Sequence, residues 1–175
     1  MLKEYKGDLL ELFEQKQFDI IIHQMNCMNN MGAGIALAIA LKYPQTKESD
    51  DATIPLDINK LGTYIPIDTD DGIIINLYGQ YVVGNRHGTP TSYLALRNAL
   101  TNIAKQYKGK KIGTYRLGCN RGGADWNIVK EIIRYQTMML EICWKDPLAT
   151  LLAYRIEKEM EEKIETASDR KSTRL

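Results

Sequence analysis

The sequence is poor in the residues that bind metals and cross-link chains. It has three cysteines, Cys27, Cys119 and Cys143, and two histidines, His23 and His87. The cysteines lie far apart and form no CxxC pair, so their spacing asks for neither a structural zinc nor a disulfide framework. An odd cysteine count, with no apolar leader in MLKEYKGDLLELF, leads us to expect reduced thiols and a cytoplasmic location. No apolar run is long enough to span a bilayer, so no membrane partner is expected. An excess of charge is also missing: 23 Lys and Arg face 22 Asp and Glu, a net charge of +1. That balance argues against nucleic acid as a general partner, because no broad basic field is available to grip it. A local site for one anionic small molecule stays open.

Three phosphate-handling signatures are absent as well. GxxxxGK[ST] does not occur, nor does the spacing of GxGxxG. A cysteine-phosphatase loop needs Arg six residues after Cys, where this chain has Ala33, Asp125 and Ala149. YIPIDTDDG places Asp68 and Asp70 after an apolar strand, as an aspartyl-phosphatase does. A hairpin turn accounts for the same acids, and Gly72 stands where a hydroxyl residue would be required.

What is present alternates in period. Asp8 is placed to cap an amphipathic helix running to about Lys16. DIIIHQM, residues 19–25, reads as a strand buried on both faces, as in a parallel sheet between helices. Gly34–Tyr43 reads as a buried apolar helix ended by Pro44, and 45–60 as a polar surface excursion. LGTYIPID and GIIINLY form a hairpin, and 79–90 a glycine-rich loop that contains a solvated His87. Residues 91–107 repeat apolar positions at helical spacing, KKIGTY is a strand, and another helix follows Asp125. DPLATLLAY is expected as a last strand, and 156–175 as a charged helical and disordered tail outside the domain of residues 1–155. The alternation predicts an α/β layered domain with a largely parallel sheet.

Ligands of such sheets sit beyond the carboxyl ends of the strands. Two loops fall there, 26–34 and 117–125, and both are rich in Gly and Asn. Gly32 and Gly34 permit either a tight strand-to-helix turn or a phosphate seated on a helix N-terminus. Gly118, Gly122 and Gly123, with Arg121 among them, offer a second such wall. His23 is either a titrating group beside the first loop or a hydrogen-bonded residue of the sheet. Asp125 is either a helix N-cap or a general base that orients a water.

GDLLELF, HQMNCMNNMGAGIALAIALKYP and RLGCNRGGADW together resemble the macro domain, an ADP-ribose-binding family, over residues 3–155. The likeness is nearest to its ADP-ribose 1''-phosphate phosphatase branch. It implies a three-layer α/β/α sandwich with a mixed, largely parallel central sheet, no cofactor and no metal. It also implies that Asp8, with Leu9 beside it, meets the adenine and that Asn26 meets the distal ribose. Gly32, Ala33, Gly34 and Ile35 would lie along the diphosphate, with Gly118, Cys119, Asn120, Arg121, Gly122 and Gly123 closing the other side.

The chain departs from the family in several places. His23 replaces a common Asn, in the manner of the phosphatase branch, and Ala33 replaces a common glycine. No aromatic lies within the second glycine loop, which leaves Trp126 or Tyr81 to stack on the ligand. NLYGQYVV lacks the lysine with which one subgroup removes ADP-ribose from acidic side chains. The expected activity is hydrolysis of the phosphate monoester of ADP-ribose 1''-phosphate by a positioned water, with His23, Asn26 and Asp125 catalytic. Removal of ADP-ribose from a modified macromolecule, and non-catalytic binding of ADP-ribose, are the alternatives.

Overall fold

The consecutive isoleucines at 20–22 set the architecture. In the computed structural model, which describes residues 2–4, 7–83 and 91–145 with side chains to Gln136, they open β1 (Ile20–Asn26). Every residue of β1 is buried, as a central strand covered on both faces requires. Odd and even positions feed different layers. Ile20 and Ile22 join Ile75 and Leu77 of β3 (Gly72–Gln80) beneath α4 (Tyr93–Gln106) and α5 (Trp126–Lys145). Ile21 and Met25 join Ile74 and Tyr78 on the opposite face, under α1 (Leu9–Glu14) and α2 (Gly34–Lys42). The fold is the expected three-layer α/β/α sandwich.

The sheet has the order β2-β3-β1-β4, where β2 is Tyr64–Thr69 and β4 is Ile112–Thr114. β2 and β3 form the expected antiparallel hairpin around Asp70-Asp71, and β1 is parallel to both β3 and β4. Ile20 of β1 pairs with Ile73 on one side and Ile112 on the other. The carboxyl ends of β1, β3 and β4 therefore share one edge, and the loops that follow β1 and β4 share it too.

Two sequence expectations change. α2 is not a buried helix: within it only Ile39 is buried, while Leu37 is 39% and Leu41 75% exposed. Its small alanines let one narrow face rest on the sheet, so the rest of its apolar surface meets solvent. The polar excursion at 45–60 begins instead with α3 (Gln45–Asp51), whose Thr46 and Asp50 are buried, and contains a 3-10 turn at Ile58–Lys60. The expected last strand, the charged tail and His87 lie outside the described residues. No described helix is long and apolar enough to cross a membrane.

Candidate functional site

Asn26 ends β1 and its side chain organises the first loop. Its Nδ2 donates to the Asn30 carbonyl at 2.7 Å, while its Oδ1 accepts the backbone N–H groups of Met28 at 3.0 Å and Asn30 at 3.3 Å. The residue is 5% exposed, so the amide is spent on shaping the loop. Asn30 continues the chain of contacts, its Oδ1 accepting the Gly32 N–H at 2.8 Å. That bond engages one of the amides expected to meet a diphosphate.

Beyond it the loop opens. No side chain caps α2, and its N-cap Ala33 is extended. Gly34 has φ +61, and a Cβ there would meet nothing within 4 Å. A nine-residue helix with an uncapped, partly exposed start presents free N–H groups and a positive dipole end. Such an end favours an anion.

The second loop is built differently. Gly118 and Gly123 take positive φ, +68 and +61. A Cβ on Gly118 would fall 2.6 Å from both Gln24 Oε1 and Thr91 Oγ1, and one on Gly122 would fall 2.2 Å from Thr91 Oγ1. These glycines let the loop lie against β1 and Thr91, and that packing explains them without a ligand. Gln24 Nε2 ties the floor together, donating to Gln80 Oε1 at 2.8 Å and Thr91 Oγ1 at 2.9 Å. Asn120, Arg121 and Gly123 are exposed, and Cys119 is partly so, with its thiol directed at the Leu117 carbonyl 3.2 Å away.

Asp125 is exposed and its Oδ1 accepts the Asn127 N–H at 2.8 Å in the first turn of α5, the capping alternative read from the sequence. Its own N–H donates to the Tyr93 hydroxyl at 2.9 Å, which anchors the loop's end to α4. Trp126 is partly buried, with the Arg116 guanidinium 5.7 Å from its ring centre. Tyr81 donates its hydroxyl to the Leu56 carbonyl at 2.8 Å. Asp8 caps α1, its Oδ1 accepting from Leu10 N at 2.8 Å and Glu11 N at 3.1 Å. Leu9 and Ile35 are half-buried at the starts of their helices.

His23 is where expectation and geometry part. It lies mid-strand on the α2 face of β1, is 0% exposed, and does not reach the loop surface. Asn76 Nδ2 donates to the Thr46 carbonyl at 2.9 Å, which turns its Oδ1 toward His23 Nε2 at 2.6 Å. The network assigns the proton to Nε2. Nδ1 is buried and has no hydrogen-bond partner. Burial depresses the imidazole pKa from 6.5 to about 4, with the Asn76 bond opposing the shift. His23 thus lies as a neutral imidazole sealed inside the sheet and bonded to Asn76, away from the loop surface.

Sequence reading missed a polar cluster behind the first loop. Lys60, Asp50, Tyr78, Asn29 and Thr53 converge there; the only signal was an Asn-rich stretch 20 to 30 residues from an acidic one (roughly one helix and its connection away). A hollow of about 410 Å³ adjoins the first loop through Met31 and Gly32. It lies between α2 and α3, lined by Met31, Gly32, Leu37, Leu41 and Lys47 among others. Its walls are mostly apolar and offer little to a diphosphate, so the loop edge is the better candidate.

An α/β/α sandwich whose glycine loops flank a central parallel strand has the fold of a macrodomain. Solved structures of that kind superpose on it. The macrodomain of Mycobacterium tuberculosis DarG does so with a TM-score of 0.63 and 21% identity, over 80% of this chain and 91% of that one. The Thermus aquaticus DarG macrodomain gives 0.58 and 19%, over 75% and 86%. Thermosipho africanus DarTG in complex with ADP-ribose gives 0.56 and 14%, over 73% of this chain and 36% of the larger one. No protein-family profile and no curated protein sequence matches the chain.

Proposed function

We propose that the protein binds ADP-ribose across the edge formed by loops 26–34 and 117–125. The observation that carries this is the uncapped start of α2 beside Gly34, open on the side where a ligand would approach. A diphosphate there would meet free N–H groups and a helix dipole. Asp8, Leu9 and Trp126 are assigned to the adenosine end. Ala33, Gly34 and Ile35 lie along the diphosphate, and the exposed Asn120, Arg121 and Gly123 close over it.

The activity assigned to this site is hydrolysis of the phosphate monoester of ADP-ribose 1''-phosphate. A water attacks phosphorus and gives its proton to a base, the P–O bond to the distal ribose breaks, and the ribose oxygen leaves with that same proton returned by the base. Asp125 is the exposed carboxylate at the second loop and is assigned to take the proton from that water. Asn26 holds the loop in shape, and His23 has no part in proton transfer. Arg121 is assigned to the extra phosphate and to discrimination against ADP-ribose itself.

The burial of His23 and the commitment of the Asn26 amide favour a second reading, a module that recognises ADP-ribose without turning it over. Calorimetric titration with ADP-ribose tests the binding, and absence of heat at millimolar ligand refutes it. Phosphate release from ADP-ribose 1''-phosphate separates the readings. Release that Asp125→Asn abolishes supports the phosphatase, and binding without release leaves the module.

A further inference from the structure

The chain of Lys60 enters the protein from the 3-10 turn and ends directly behind the first loop. Its ammonium donates to Thr53 Oγ1 at 2.5 Å and to Asn29 Oδ1, lies 3.6 Å from Asp50 Oδ1, and sits 4.6 Å from the centre of the Tyr78 ring. Asp50 is 0% exposed and Lys60 7%. The Tyr78 hydroxyl donates to Asp50 Oδ1 at 2.8 Å, and Asp50 Oδ2 has no partner among the described residues. Burial pushes the Asp50 carboxyl above its ordinary range, with Tyr78 and Lys60 opposing. An ion pair this deep contributes little net stability, because desolvation consumes most of its attraction. Its presence calls for another account.

Asn29 supplies one. It takes φ +56, a region that non-glycine residues seldom occupy. Its Nδ2 donates to the carbonyls of Asp50 at 2.7 Å and Thr53 at 3.0 Å, and its Oδ1 receives the Lys60 ammonium. Both ends of the amide are thus clamped by one buried cluster, midway between Asn26 and Gly32. We propose that Lys60 is a positioning residue for the first loop: acting through Asn29, it fixes the backbone path that delivers Ala33, Gly34 and the α2 N-terminus to an anionic ligand.

The inference rests on the reading that this edge takes ADP-ribose, and it adds a residue outside that contact set. Four proteins test it: the full chain as it stands, Lys60→Met, Asn29→Gly and the double variant. Each is titrated with ADP-ribose and followed by backbone hydrogen exchange. Lys60→Met is expected to weaken ADP-ribose about tenfold, the scale of one lost charge-assisted hydrogen bond. It should also speed exchange at residues 29–35 while leaving 117–124 unchanged.

Asn29→Gly tolerates the backbone angle, removes the clamp and should do the same. Adding Lys60→Met to Asn29→Gly should then weaken binding no further than about twofold, the signature of one residue acting through another. Multiplying losses, or unchanged first-loop exchange in Lys60→Met, overturns the proposal. Should Lys60→Met fail to fold, Asn29→Gly decides alone, since it leaves the ion pair in place. Unchanged affinity and exchange in that variant refute the clamp. If the parent protein binds no ADP-ribose, the functional reading falls and hydrogen exchange alone judges Lys60.

Discussion

Acid should destabilise this protein in part through one buried residue. His23 is 0% exposed and keeps its single proton on Nε2 for Asn76, leaving Nδ1 without a partner. A second proton would bring an unshared charge into the sheet. The imidazole pKa accordingly falls from 6.5 in the unfolded chain to about 4 in the fold. Between those values the unfolded chain holds more protons than the native one, so stability drops as pH falls through the window and recovers as pH rises. Each pH unit is worth about 1.4 kcal/mol, and the whole window about 3 kcal/mol. Set against the roughly 5–15 kcal/mol of an ordinary domain, that is a large share.

The assay is urea unfolding of the parent protein and His23→Gln at about pH 7.5 and about pH 4.5. Gln keeps a donor for Asn76 but does not titrate. Carboxylates shared by both proteins cancel in the difference. The parent should lose about 2–3 kcal/mol more than the variant on acidification. Equal losses in the two, or a His23 titration near 6.5 followed by NMR, would refute the reasoning.

Other outcomes follow from the same geometry. Gly122→Ala drives a methyl into Thr91 Oγ1 and should cost about 1–3 kcal/mol in thermal unfolding while loosening the second loop. Asp8→Ala removes the cap of α1 and should cost about 1 kcal/mol; if Asp8 also meets adenine, ADP-ribose affinity falls with it in a titration. Tyr78→Phe strips a donor from buried Asp50 and should cost about 1–3 kcal/mol in denaturant midpoint analysis. Leu41→Glu should shift stability by no more than about 0.5 kcal/mol, because the side chain is already 75% exposed; a large loss would restore the view of α2 as core.

The layers and the sheet were legible in the sequence because periodicity reports burial directly. Residues 20–22 announced a strand covered on both faces, and the turn at Asp70-Asp71 announced the hairpin. The error over α2 shows the limit of that logic, since an apolar run states what a helix is made of and not how much surface its neighbours have left to cover it. α3 escaped notice because QTKESDD has little apolar stripe; it is held by buried Thr46, which bonds the nearby Tyr43 carbonyl, and by buried Asp50, whose partner Tyr78 lies far along the chain. The site was legible as two loops at one edge. The division of labour inside them was not. Whether a glycine opens onto free space, as at Gly34, or packs against its neighbours, as at Gly118, depends on what stands opposite. For His23 the sequence offered two readings, and neither its burial nor its contact with Asn76 could be seen from spacing.

The order of strands across the sheet carries a consequence for synthesis. β1 emerges early, yet Ile20 finds its partners at Ile73 and Ile112, so one edge of the strand stays open until β3 is made and the other until β4 is made. Pairings so distant in sequence form slowly. A nascent or truncated chain that stops short of β4 leaves Ile20, Ile21 and Ile22 of β1 without their β4 partners, an apolar strand edge of the kind that recruits other chains. The first loop hangs from that same strand, so the edge proposed to bind ADP-ribose is among the last parts of the protein to acquire its shape.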